Sequence, residues 1–383
     1  MKLSECRSSK YKNLFILSLL FIMFNHGALY YITGDIYNKD NPIKIIKYTL
    51  VLGLLLLYFY HILNNGINKK ALVFISMFSV WLIVMLVQSV YFKLPIERAL
   101  FFYFPCLMIF AAYQCSFQSV VNVLKWTFLF SFIFSILEYL ILFDISSRFN
   151  QSGFRSISIF VNPNAFGATI VLITTVLLNR VDSTIKQAIL LFSSFIMISL
   201  SGSKTALLAF TMIVLFFFSY QLLIFLKVKK VNLFRLIKLL VIVSIVLFIF
   251  MYLCIHVNNT LGESINIREF SLGSGGQRML QYQSVALAID NCPLLPSVCD
   301  DNVYVDNGFL FIWLSVGFVS FIGFVSILFL FIYISARFRL EFFLFFSTFL
   351  IMALSTNLFN IWPTAYLFWL LSGYLLKDIT LKE

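Results

Sequence analysis

Apolar runs long enough to cross a bilayer follow one another along almost the whole chain, with only short polar breaks between them. About 20 mostly apolar residues in a helix span the roughly 30 Å hydrocarbon layer. Inside that layer the backbone must satisfy its own N–H and C=O groups, which a helix does within each run. Reading the runs between breaks predicts spans at 14–33, 45–63, 71–91, 99–113, 123–143, 163–179, 185–200, 204–226, 237–256, 307–335, 340–356 and 361–376. Of the 383 residues, 61% are hydrophobic and 11% charged, whereas soluble domains run nearer half apolar and about a quarter charged. The expected fold is all-α and polytopic, with about 12 transmembrane helices in a single domain over residues 1–383. A soluble enzyme, a nucleic-acid binder and a disulfide-stapled secreted domain are excluded.

The net charge of +12 matters here through its placement. With the N-terminus inside, 18 of the 28 Lys and Arg residues fall in alternate, cytoplasmic loops, including the dense run LKVKKVNLFRLIK. Lys and Arg favour the cytoplasmic side, so both termini are expected there. No small-residue cleavage site follows the first span, which argues against a removable signal peptide. Two external loops result: a smaller one at 144–158 and a large hydrophilic one at 257–306, between the ninth and tenth spans. Long loops on compact scaffolds carry function. Cys292 and Cys299 share the larger loop, where a disulfide is chemically allowed; two free thiols are the alternative. The other four cysteines read as small hydrophobes.

Of the ten external cations, Lys39, Lys44, Lys47, Lys93 and Arg98 lie at helix ends, where long side chains snorkel to headgroups. Arg148, Arg155, Lys204, Arg268 and Arg278 instead cluster around the sixth, eighth and tenth spans. Three helix starts lie on the same side. Asn162-Pro163 reads as an N-cap with proline at the first helical position. Ser201-Gly202-Ser203 can cap the helix beginning at Lys204, and Asp306 the helix beginning at Asn307. Helix N-termini carry partial positive charge and unpaired N–H groups. With Arg155, Lys204 and Arg278 nearby, they would form a pocket for a diphosphate. Ordinary helix punctuation is the plainer reading of the caps alone.

Phosphate-binding loops, dinucleotide fingerprints, histidine pairs at ligand spacing and Asp-x-Asp pairs are all missing from the sequence. No metal or other cofactor is therefore expected, and the energy of any reaction must come with its substrate. Glu138 is the clearest acid within a span. Intramembrane ionisable groups are functional candidates, but one carboxyl near a helix end is thin support for a proton pathway.

Four segments carry a resemblance: RSISIFVNPNAFGA, SLSGSKTALLAF, GGQRMLQYQSVALAI and VDNGFLFIWLSVGFVSFIG. Together they resemble the O-antigen polymerase and ligase superfamily of bacterial membrane proteins. That superfamily shares an Arg ahead of Asn-Pro-Asn, Ser-x-Ser-Arg or Ser-x-Ser-Lys at a helix start, and an Arg in the large periplasmic loop. It also shares His-Asn or Asp-Asn before a glycine-containing helix. The resemblance spans 144 to about 325, a little under half the chain. It implies a metal-independent glycosyltransferase of the GT-C type in the inner membrane, using an undecaprenyl-diphosphate-linked glycan as donor. Ligases tend to carry histidine where this chain has Asp306-Asn307, which favours a polymerase of O-antigen or related surface polysaccharide. The family's Ser-x-Ser-Arg is here Ser-Gly-Ser-Lys, which keeps the charge but loses bidentate geometry.

The expected catalytic residues are Arg155, Arg278 and Asp306, with Asn162, Asn164, Ser203, Lys204, Glu269 and Asn307 binding substrate. The arginines would meet the charge that develops on the departing diphosphate. Asp306 or Glu269 would take the acceptor's proton, although Asp306 as a helix cap and nothing more stands equally. Membrane lipid and a chain-length regulator are the other expected partners. The alternatives are an O-antigen ligase acting on lipid A–core and, in a different class, a lipid-linked oligosaccharide flippase. A flippase should show two similar halves and polar residues through its centre, whereas this chain concentrates polarity in one external loop.

Overall fold

The computed structural model describes residues 16–29, 104–141, 155–160, 162–181, 183–227, 275–296, 305–359 and 361–382, with scattered positions between 14 and 91. Among them every regular element is helical. We number the helices α1 (Ile16–Leu29), α2 (Phe104–Gln114), α3 (Phe117–Leu140), α4 (Pro163–Leu178), α5 (Thr184–Ser201) and α6 (Lys204–Lys227). There follow α7 (Gly275–Asn291), α8 (Gly308–Val316), α9 (Phe318–Phe338), α10 (Leu340–Ala353) and α11 (Trp362–Lys382). Three stretches among the described residues are long and apolar enough to cross a membrane: Phe117–Leu140, Thr184–Ser201 and Phe318–Arg337. The expected span at 237–256 lies outside the described residues. Leu50, Leu54 and Leu57, from the expected second span, are buried in the same core as α1, and Gly53 lies against Leu19.

Helix α4 is the axis of the fold. All its residues except Asn164 are buried, and a helix apolar on every side belongs in an interior. It packs against α3, α5, α6, α10 and α11. Its hydroxyls turn inward without cost, because Thr169 donates to the Ala165 carbonyl at 2.7 Å and Thr174 to that of Ile170 at 2.7 Å. At about 1.5 Å per residue, its length separates two polar ends by roughly 24 Å. One end carries Arg155, Asn162 and Asn164. The other carries Arg180, which pairs with Glu341 and lies 4.7 Å from the centre of the Phe117 ring. There Arg339 also pairs with Asp378 at 2.8 Å, tying the start of α10 to the end of α11.

The span expected at 361–376 runs on to Lys382, where Asp378 pairs with Arg339, and two others need correction. The helix expected at 123–143 starts at Phe117, because Ser116 caps it by accepting from the Ser119 N–H at 3.1 Å. Polar Gln118, Ser119 and Asn122 extend it past the apolar run. The span expected at 307–335 is broken at Gly317, whose φ of 86° and ψ of 167° fall in a region open essentially only to glycine. A Cβ there would stand 2.8 Å from the Leu294 carbonyl. The turn after α7 occupies the break: Phe318 N–H donates to Leu294 at 2.9 Å, and the Trp313 indole to Pro293 at 2.8 Å. Unbroken apolarity through FLFIWLSVGFVSFIG conceals this, since the break is a backbone angle and not a polar residue.

Glycine also sets how closely α11 meets α2. A Cβ on Gly373 would lie 2.6 Å from the Ile109 carbonyl oxygen and 2.7 Å from the Ala112 Cβ. Gly323, by contrast, has nothing within 4 Å. Overpacking costs about 1–3 kcal/mol, so Gly373→Val should lower the detergent-solubilised melting temperature by several degrees. Gly323→Ala should leave it level or raise it slightly, as Ala outranks Gly in helices by about 0.5–1 kcal/mol. Thermal unfolding of the two purified variants checks both.

Candidate functional site

Arg155 joins two of the four motif segments. Its guanidinium donates from Nε to the Ser201 carbonyl at 3.1 Å and from Nη2 to Asn164 Oδ1 at 2.8 Å. One side chain thus ties the segment before α4 to the first turn of α4 and the last turn of α5. Asn162, in extended conformation, caps α4 by accepting from the N–H groups of Asn164 at 2.8 Å and Ala165 at 3.3 Å. Proline at the first helical position lacks the N–H that would go unpaired there.

The approach of α4 to the α5–α6 junction depends on two glycines. A Cβ on Gly167 would stand 2.7 Å from Ser201 Oγ, 2.9 Å from Ala206 Cβ and 3.0 Å from Ser203 Cβ. Gly202 ends α5 in the left-handed region at φ 60°, where a Cβ would crowd Arg155 at 3.3 Å. Ser203 then starts α6, its hydroxyl accepting from Ala206 N–H at 3.4 Å and its carbonyl from Leu207 N–H at 3.0 Å. Lys204 is half-buried in that first turn, beside the Arg155 contact.

The start of α8 reaches the same end through a segment that sequence reasoning passed over. Between α10 and α11, Ser355 donates to Thr205 Oγ1 at 2.9 Å, and the Leu354 carbonyl accepts from Asn307 Nδ2 at 2.6 Å. Gly308 permits this, with a Cβ there 3.2 Å from the carbonyls of Ala353 and Thr356. The signal was the Ser-Thr-Asn cluster at 355–357, between the apolar runs of α10 and α11. Hydrogen bonds therefore join Asn164, Arg155 and Ser201 on one side of the α5–α6 junction, and Thr205 to Ser355 and Leu354 to Asn307 on the other.

The cap of α8 differs from expectation by one residue. Asn307, not Asp306, accepts from the N–H groups of Phe309 at 2.9 Å and Leu310 at 3.0 Å. The helix begins at Gly308, so Asp306 sits one position too early to reach those donors. Asn307 has its carbonyl and its amide engaged within the protein, whereas Asp306 is half-buried beside it. Helix α7 packs here too: Val285 and Ala288 form a small core with Val305 and Leu314. Arg278 lies in the first turn of α7. Cys292, just past its end, is disulfide-bonded; Cys299, the expected partner, lies outside the described residues, as do Glu269, Arg148 and Arg268. Among the described residues no three His, Cys, Asp or Glu side chains are grouped to hold a metal ion.

The end so built holds Arg155 and Lys204, the N-termini of α4, α6 and α8, and the carboxyl of Asp306. Such a set can bind an anion by paired donors and helix-end N–H groups and place one titratable group beside it. Capping predicts a stability difference at the neighbouring pair. Asn307→Ala should cost about 0.5–2 kcal/mol, plus the bond to Leu354, while Asp306→Ala loses no cap. Melting temperatures of the two variants in detergent should differ by several degrees, Asn307→Ala being the lower.

No protein-family model matches this chain, and no curated protein matches its sequence.

Proposed function

We propose that the protein is a polymerase of undecaprenyl-diphosphate-linked oligosaccharide repeat units. In this reading it crosses a bacterial inner membrane about twelve times in a GT-C-like arrangement. Both termini are cytoplasmic, and the 144–158 and 257–306 loops are periplasmic. A single observation carries the reading: Arg155 docks on Asn164 and on the Ser201 carbonyl, joining two segments that bear the family resemblance. The positively charged set of Lys and Arg at 180, 339 and 377 gathers near the opposite end, as the charge count requires of the cytoplasmic side.

The chemistry follows from the donor. The acceptor hydroxyl oxygen attacks the anomeric carbon, the bond from that carbon to the diphosphate oxygen breaks, and the electron pair leaves with the lipid diphosphate. Negative charge grows on the leaving group, where fixed cations and helix N-termini stabilise it most. Arg155 and Arg278 meet that charge, with Lys204 and the ends of α4 and α6 assisting. The acceptor's proton passes to Asp306, the half-buried carboxyl beside the helix ends, or to Glu269. The donor itself supplies the energy, so no cofactor takes part. A chain-length regulator is the expected protein partner.

Each charge-assisted hydrogen bond is worth roughly 1.5–3 kcal/mol, so Arg155→Ala and Arg278→Ala should each cut polymer yield by about 10- to 100-fold. Arg155→Lys should also impair it, since a lysine lacks the planar fork that holds Asn164 and Ser201 together. Arg148→Ala and Arg268→Ala should be far better tolerated. Surface glycan from a deletion strain, complemented with each variant at matched membrane expression, is run on gels. Single-repeat glycan in the deletion supports a polymerase. Total loss of surface glycan indicates a ligase, and undecorated lipid-linked units held inside indicate a flippase. Full-length polymer from both alanine variants would remove this end of the molecule as the active site.

A cysteine replacing Lys229 should react with membrane-permeant but not impermeant maleimide in intact cells, placing the basic loop inside.

A further inference from the structure

Glu138 is fully buried near the end of α3, within a membrane-crossing helix. The three residues that follow Arg155 all turn toward it. Its Oε2 accepts from the Ser156 hydroxyl at 2.6 Å, from Ile157 N–H at 3.0 Å and from Ser158 N–H at 2.9 Å. Oε1 receives one longer bond, from Ile157 N–H at 3.2 Å. Ser158 is held at φ 47°, a conformation rare outside glycine, and its hydroxyl donates to the Ser131 carbonyl at 2.9 Å. Ser156 N–H donates to Leu200 at 2.8 Å. Residues 156–158 are thus pinned from two helices, and Arg155 is the next residue toward the site.

We propose that Glu138 is the positioning residue for Arg155, acting as a fixed hydrogen-bond acceptor rather than as a proton carrier. The inference rests on the reading of Arg155 as the ligand of the departing diphosphate. Three donors converge on one oxygen, so Oε2 serves the segment as an acceptor. What the segment needs from position 138 is an acceptor at the right reach. Glutamine supplies this: its amide oxygen in place of Oε2 can accept the same three short bonds. Aspartate, one methylene shorter, does not reach, and alanine supplies no acceptor. Shifting a catalytic charge by about 1 Å can cost on the order of 100-fold in rate.

The sequence carries a sign of this role. Thr127, Ser131, Ser135 and Glu138 are spaced by four, four and three, which places them on one face of α3, and all four are fully buried. The acid ends a polar stripe that faces protein rather than lipid.

The test joins glycan output to a reading that does not depend on activity. Full-length protein in native membranes carries Glu138, Glu138→Gln, Glu138→Asp or Glu138→Ala. Polymer from each is measured in the complemented deletion strain. In a parallel Arg155→Cys set, the rate of maleimide labelling at position 155 is read by mass spectrometry. A Gln118→Cys control reports the exposed, opposite end of α3. Expected are polymer within about threefold of wild type for Gln, losses of at least about tenfold for Asp and Ala, and a labelling rate at 155 changed about tenfold in Ala but not in Gln. The control rate should not move.

Equal labelling at 155 across all four backgrounds overturns the proposal. So does loss of polymer in Gln with labelling unchanged, because the charge would then be what acts. A labelling change in Ala with full polymer upholds the positioning of Arg155 and instead removes Arg155 from the reaction. Should the Ala protein not accumulate, Ser156→Ala, which deletes only the 2.6 Å donor, must move labelling and polymer in the same direction by a smaller factor.

Discussion

Polar groups sealed in an apolar protein within a membrane have no water to turn to, and an unpaired one costs several kcal/mol. The arrangement of this protein follows from that constraint. Serine and threonine hydroxyls inside α3, α4 and α5 donate to carbonyls of their own helix, as Ser131 does to Thr127 at 2.6 Å and Ser194 to Leu190 at 2.7 Å. Helix starts take their caps from Ser116, Asn162 and Asn307. The Glu138 carboxylate, with most to lose by burial, draws an entire loop segment onto itself. Where pairing within one helix is impossible, the chain must bring another segment in, and those places form the site.

Close approach is what makes such pairing possible. Gly167, Gly202 and Gly308 stand where a Cβ would strike Ser201, Arg155 and the carbonyls of Ala353 and Thr356. With side chains at those points, the ends of α4, α5, α6 and α8 would stand farther apart, and Arg155 could not span from Asn164 to Ser201. The opposite end is held differently. Ion pairs of Arg180 and Arg339 with Glu341 and Asp378 clamp it around Phe117. There the arginines meet acids, whereas Arg155 at the site end donates to the neutral oxygens of Asn164 and Ser201.

Much of the fold was legible from apolar run length. The starts of α4 and α6 and the end of α5 agree with the sequence reading within a residue, because Asn-Pro and Ser-Gly-Ser are strong local signals. The errors have local causes of another kind. Helix α3 begins earlier than its apolar run, since a capped helix can continue through polar residues. The break at Gly317 rests on a backbone angle that any apolar stretch can hide. The cap of α8 falls on Asn307 because reach, not residue type, decides between two neighbouring capping residues.

What the sequence determined by itself was helicity, the spacing of polar breaks and the grouping of charges, because each depends only on the order of apolar and polar residues along one run. That grouping already pointed to Arg155 and Lys204. The bond from Arg155 to Ser201, 46 residues away, the collection of three donors by Glu138 and the arrival of Ser355 at Thr205 were decided only in three dimensions. Each joins segments whose separation along the chain carries no signal. Their partners are chosen by which helices pack against α4 and by where a missing Cβ lets backbones meet.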